Sequence, residues 1–292
     1  MNQTQQGYWS AVGCYTIWGV MPIYMRLLKT VPATQIVTHR IVWSCIILLA
    51  LLHFKKSLKP LFQKISWKLV GVYALSALCV ATNWLLYVYG TNHGQVTEVS
   101  LGYFINPLIN VLLGVLVLRE RLRAWQMVAV LLATLGVAYL GVTYGSFPWI
   151  ALGLGFSFGF YGLIRKMAPL GASQGLTLET LMLLPIALLY LSYLTVNDQN
   201  AFGQQGLHID LLLIGAGLIT TVPLLMFNHA AQRISLTLMG VFQYIGPTLQ
   251  FLVGVFIYDE PVSQAVLTGF MFVWGGLVVF ALEGAWRHRR SV

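Results

Sequence analysis

The chain has 292 residues, 58% of them hydrophobic and 9% charged, with a net charge of +9 and a mean hydropathy of +0.77. Soluble domains are about 45–50% apolar and about 25% charged, so a soluble enzyme, a disordered linker protein and a nucleic-acid binder are excluded. The positive charges sit in short clusters between apolar runs, which is the positive-inside pattern rather than that of a polyanion-binding surface.

About 20 apolar residues are needed for a helix to cross a bilayer core. Ten stretches predict such helices: 8–28, 33–53, 68–90, 97–118, 124–142, 147–166, 175–196, 210–230, 236–257 and 263–283. They are continuously apolar and lack the period-two alternation of barrel strands. No basic residue precedes the first, so it reads poorly as a cleaved signal peptide. Cys14, Cys45 and Cys79 fall inside apolar runs without disulfide or zinc spacing and read as small packing side chains. No cofactor and no metal are expected.

In chain order, the first span carries Trp18 and the second carries His39, Arg40 and Trp43. Arg40 lies about two turns in, near 10 Å from the helix start. Two readings stand: it faces a cavity and pairs with a substrate carboxylate, or it ties helices together. His39 points about 100° away from it around the helix. On the third span Asn83, Trp84 and Tyr87 share a face. The fourth opens on Glu98, favoured there by the helix macrodipole, with proton coupling or gating as the alternative. It continues with Tyr103, Asn106 and Asn110 on one face, and with Pro107, which frees a carbonyl and can kink the helix. The sixth span carries Tyr161, the seventh Glu179, the eighth Asn228 beside His229, and the ninth Gln243, Tyr244, Pro247 and Gln250. A polar stripe facing lipid would waste hydrogen bonds, so these stripes face a cavity or serve as interhelical glue. Trp18, Trp43, Trp84 and Tyr161 sit deep enough to wall a ring or a cation, or simply to pack. The fifth and tenth spans carry almost no polar residues and are expected at the periphery.

Fourteen of the 17 Lys and Arg residues fall on one side of this topology if the N-terminus is cytoplasmic, which places both termini inside. The halves also resemble each other at a near-constant offset. Pro107, Gly114 and Glu120 recur as Pro247, Gly254 and Glu260, each 140 residues later. Arg26 and Arg165 are 139 apart, and the same offset matches Arg40 to Glu179. That match raises a direct Arg40–Glu179 bridge as an expectation. Glu120 and Glu260 are expected in turns or surface ion pairs. The reading divides the chain into repeats at 1–145 and 146–292. Five spans per half is an odd number, so the second copy enters the membrane inverted, as in many secondary transporters.

Several segments resemble the RarD group of the EamA family, within the drug/metabolite transporter superfamily. They are His39-Arg40-Ile41-Val42-Trp43-Ser44, Asn83-Trp84-Leu85-Leu86-Tyr87, Ser100 through Leu108, Gly114 through Leu122, and Tyr161 through Lys166. The resemblance implies ten transmembrane helices in two inverted five-helix EamA repeats, a bacterial inner-membrane location and transport of small organic solutes. The group is associated by name with chloramphenicol sensitivity or resistance.

The leading reading is a secondary active or facilitative transporter of amino acids, metabolites or amphiphilic drugs, acting in export by alternating access. Its partners are a small-molecule substrate and the lipid bilayer, with protons as a candidate coupling ion, no nucleic acid, and a monomeric or weakly dimeric state. An intramembrane enzyme is the alternative, but no HExxH, GxSxG or His-rich face is present. A channel would rely on filter or charged rings, which are not evident.

Overall fold

The computed structural model describes residues 2–290; Met1, Ser291 and Val292, at the ends of the two expected repeats, lie outside the described residues. So do the side chains of Arg287, Arg289 and Arg290, counted above among the cytoplasmic charges. The described residues form helices α1 (Gln3–Leu27), α2 (Ala33–Phe54), α3 (Leu58–Gln63), α4 (Trp67–Asn92), α5 (Val96–Leu116) and α6 (Ala124–Tyr144). They continue with α7 (Trp149–Met167), α8 (Ala172–Val196), α9 (Leu207–Ala231), α10 (Leu236–Gln243), α11 (Ile245–Tyr258) and α12 (Gln264–Arg290).

Local chemistry sets the ends. Asn2, Ser66 and Ser235 cap α1, α4 and α10 by accepting from backbone N–H groups three residues on, at 2.8, 3.2 and 3.1 Å. Gly145 closes α6 in the left-handed region, at φ 80°. The apolar runs carry the rest.

Among the described residues, eight helical segments are long and apolar enough to cross a membrane: α2, α4, α5, α6, α8, α9, the α10–α11 pair and α12. The first turns of α1 are glutamine-rich, and α7 mixes four glycines with a basic C-terminus, so neither is as apolar. The outer surface is built for hydrocarbon. Trp67 is 91% exposed, Phe54 82% and Phe256 76%, and many leucines and valines join them. Such a surface is untenable in water. The protein is a multi-pass membrane protein.

Most of the extensive packing joins the first half of the chain to the second. α1 lies against α9 and α11, α2 against α8 and α9, α4 against α7 and α8, α5 against α7 and α10, and α6 against α12. The largest apolar cluster includes Tyr15, Leu48, Phe158, Tyr161, Phe227 and Met239. Connections gather at two ends. At the Gly145 end, Thr30 bonds Gln205, Tyr144 bonds Glu98 and Arg26 lies over the Tyr258 ring. At the Glu120 end, Gln232 reaches Leu170, Lys166 reaches Ile234, and Glu120 reaches Leu236.

The helix carrying Pro247 is interrupted at Tyr244, between α10 and α11, whereas α5 runs unbroken through Pro107. The same proline motif thus follows a helix break in one half and lies inside a continuous helix in the other. Pro247 has no N–H to donate. Gly246 beside it, with Tyr15 O 3.9 Å from its would-be Cβ as the nearest atom, leaves room for the break.

Candidate functional site

Four polar groups lie inside the bundle. The first surrounds Arg40. Its Nε donates to Thr220 Oγ1 at 2.6 Å, and Thr220 in turn donates to the Ala216 carbonyl at 2.7 Å. The guanidinium lies 5.1 Å from the Trp84 ring, with the Tyr87 and Tyr103 phenols close enough to feel its charge. Arg40 is half-buried, its Nη groups have no protein partner, and no carboxylate pairs with it among the described residues. A guanidinium offers five donors in a planar fork, so most of this one's capacity is available.

The second group centres on Glu179, which is 1% exposed. It pairs with Arg165 at 3.4 Å, accepts from Ser76 at 2.6 Å, and accepts from the Tyr161 hydroxyl at 3.3 Å. Tyr161 also reaches Asn228 Oδ1 at 3.1 Å. The expected Arg40–Glu179 bridge is thus corrected. α8 turns Glu179 toward α4 and α7, and the cation it meets is Arg165, the residue matched by sequence to Arg26. Arg165 is fully buried, not the boundary charge its place beside Lys166 suggests. It donates to the Ala172 carbonyl at 3.3 Å and lies over the Tyr73 ring. Gly175 makes this possible, because a Cβ there would fall 2.0 Å from Arg165 Nη1.

The third group ties the two polar stripes together: Asn110 Nδ2 donates to Gln243 Oε1 at 2.6 Å, and both residues are buried. Asn106, one turn away, is buried with its Oδ1 unpartnered. The fourth is Glu98, 2% exposed, which accepts from Ile150 N at 2.6 Å and from the Tyr144 hydroxyl at 2.9 Å. It therefore caps the N-terminus of α7, where the macrodipole favours an anion, rather than that of its own helix.

Other expected residues fall elsewhere. Asn83 donates to the Leu154 carbonyl at 2.9 Å and to Ser157 at 3.2 Å, so it fastens α4 to α7. His39 stacks on Phe202 at 5.3 Å and Trp43 packs on the same ring at 6.0 Å. They face the α8–α9 connection, away from Arg40. Trp18 joins an aromatic cluster with Tyr15, Phe158 and Phe227. The Tyr244 hydroxyl donates to the Phe104 carbonyl at 3.3 Å, and Gln250 donates to the Trp18 carbonyl at 3.2 Å.

A cavity of about 520 Å³ opens at the Gly145 end. Val96, Thr97, Tyr258 and Glu260 stand at its rim, and Tyr103, Pro247 and Gln250 line it farther in. Leu140 and Thr143 of α6 and Val266 and Phe270 of α12 also line it. The expected peripheral position of the fifth and tenth spans is corrected accordingly: their shared packing leaves the outer turns facing inward.

Sequence reasoning missed Thr220 and the burial of Arg165. Glu120 stands in a turn, one of the two places expected for it; what the sequence did not show is that its carboxylate accepts from Leu236 N at 2.7 Å and Thr237 N at 2.8 Å, at the start of α10. Among the described residues, no three His, Cys, Asp or Glu side chains come together as a metal site.

A membrane-embedded helical bundle with a polar interior and one open end is the class these features define. The EamA-like transporter family model matches residues 5–142. "Protein RarD" of Salmonella typhi is 44% identical over 291 residues, covering 99% of each chain, and "Protein RarD" of Escherichia coli K12 is 43% identical over 99% of this chain and 98% of its own. "Uncharacterized transporter YojE" of Bacillus subtilis is 41% identical over 96% of this chain and 95% of its own. One solved crystal structure, 18% identical, shares the fold with a TM-score of 0.70 over 96% of both chains. The chain belongs to the EamA-like transporter family and is of the RarD type.

Proposed function

We propose that the protein is a secondary transporter that carries small organic anions or zwitterions through the bilayer by alternating access. The single observation that carries this reading is Arg40. It is a guanidinium inside an apolar bundle, without an acid partner among the described residues, held by Thr220 and Trp84. A cation inside the apolar bundle without a counterion is costly, and a substrate carboxylate would offset that cost. Trp84 and the two phenols give the substrate's apolar part a surface to stack on.

The reading includes ten spans, with α1 and α7 joining the eight most apolar segments, a bacterial inner-membrane location and both termini cytoplasmic. The Gly145 end then faces outward. It also includes two inverted repeats, 1–145 and 146–292. Helix packing supports them, because the partnerships exchange when the halves are swapped: α1 on α9 matches α7 on α4, and α1 on α11 matches α7 on α5. Export of amino acids, metabolites or amphiphilic drugs is the direction the cytoplasmic source of such solutes favours, with a proton or solute gradient as the drive.

The test is counterflow in proteoliposomes. A panel of amino acids, small carboxylates and chloramphenicol is loaded inside and traced outside. Saturable exchange of carboxylate-bearing solutes that disappears in Arg40→Ala supports the reading. Exchange that persists undiminished in Arg40→Ala refutes the anion site, and chemical conversion of a solute without movement refutes the carrier.

A further inference from the structure

Two turns, one in each half, have the same build. In the first, Arg119 takes a left-handed conformation at φ 55°, Glu120 N donates back to the Gly114 carbonyl at 2.9 Å, and the carboxylate folds over Gly114. In the second, Asp259 stands at φ 51° and Glu260 N donates back to the Gly254 carbonyl at 3.0 Å. A Cβ at Gly114 or Gly254 would lie 2.7 or 2.9 Å from its own glutamate's Oε2, so each carboxylate lies close over its glycine.

Their carboxylates differ in what they hold. Glu120 takes the first two N–H groups of α10, those of Leu236 and Thr237. This is the charge-assisted capture that a helix N-terminus offers an anion. Counting back 140 residues from Leu236 and Thr237 gives Val96 and Thr97, the first two residues of α5. Glu260, the mate of Glu120, holds neither. It is exposed, its carboxylate makes no hydrogen bond among the described residues, and the Gln95 side chain does not cap α5. Glu260, Val96 and Thr97 all border the cavity instead.

We infer that Glu120 and Glu260 are reciprocal latches: each carboxylate, when it seizes the helix N-terminus opposite, closes its own end of the cavity, and transport exchanges one closure for the other. The present structure has the Glu120 latch shut and the Glu260 latch open. The alternate state has Glu260 accepting from Val96 N and Thr97 N while Glu120 releases α10. Both latches make the same pair of bonds, so the exchange trades like for like and the two states stay close in free energy. The helices differ in the same sense, with the helix behind the shut latch interrupted at Tyr244 and its mate continuous. Both glutamates are positioning residues, acting on substrate access and not touching substrate.

This inference rests on the alternating-access reading, but its test needs no substrate. In a Cys79→Ser background, Ser100→Cys places a thiol on the cavity wall, and Val96→Cys with Ser263→Cys places two thiols at its rim, on α5 and ahead of α12. Reconstituted protein is labelled from the Gly145 end with an impermeant maleimide, and disulfide formation across the rim is timed. Glu120→Gln should slow labelling of Ser100→Cys and speed rim cross-linking by about tenfold, the scale of losing charge-assisted bonds. Glu260→Gln should slow cross-linking and leave labelling as fast or faster. Gly114→Ala, which crowds the Glu120 carboxylate, should act as Glu120→Gln does and guards against a folding defect in that variant. Rates that move the same way in both glutamine variants, or that do not move in Glu120→Gln, overturn the latches. Counterflow that survives such a result leaves the transport reading standing. Opposite shifts without any counterflow leave the latches standing and remove the transport reading.

Discussion

Arg40 and Arg165 are both arginines inside the bundle, yet they live differently. Arg165 is fully buried, paired with Glu179, laid over Tyr73 and lodged in the gap left by Gly175. Among the described residues, Arg40 has one hydrogen bond to a threonine, an indole face, and no acid. The contrast separates a charge that holds helices from a charge kept available. A buried ion pair is dear to break by one partner but replaceable as a unit by apolar residues. An unpartnered cation near a cavity has no such structural excuse, and its cost is met only when an anion arrives.

The sharpest way to break this contrast is to remove each arginine's function in turn. Arg40→Ala should reduce counterflow by roughly a hundredfold or more, as loss of a desolvated charge contact costs about 2–5 kcal/mol, with thermal stability unchanged. Arg40→Lys should fall between, since an ammonium cannot reproduce the fork. Glu179→Gln should do the opposite: it should lower the melting temperature in detergent by an amount matching about 3–5 kcal/mol, because Arg165 is left buried and uncompensated. Combining Arg165→Met with Glu179→Leu should recover most of that loss, and failure to recover would give the pair a role beyond support. Next in size come the stripes. Gln243→Leu should cost about 1–2 kcal/mol in detergent melts by orphaning Asn110, whereas Asn106→Leu should leave stability near wild type and lower transport. A collapse in expression of Asn106→Leu would make Asn106 interhelical glue. The smallest effect is expected for Thr220→Val, which removes one neutral partner of Arg40 and should weaken apparent substrate affinity about threefold to tenfold, within the range of a single net hydrogen bond.

The parts of this molecule readable in its sequence are those written locally. Continuous apolarity announces a span wherever it occurs, and an arginine two turns into such a run stands out on inspection. The rest depends on what other helices bring. Arg165 beside Lys166 looks like a boundary charge because the residues that bury it, Tyr73 and Gly175, lie on two other helices. Asn83 looks like a cavity residue because its partners, the Leu154 carbonyl and Ser157, are about 70 positions away. The repeat offset pairs Pro107 with Pro247 as sequence, but it cannot say that one helix is interrupted and the other continuous. That difference belongs to a conformation, not to a motif.

The hydrogen that serves as the side chain of Gly175 fixes how this protein's relatives can vary. No other amino acid fits there while a guanidinium occupies the same few ångströms. Substitutions at 165 and 175 should therefore be found together across lineages, and a related chain bearing alanine at the second position should have surrendered arginine at the first.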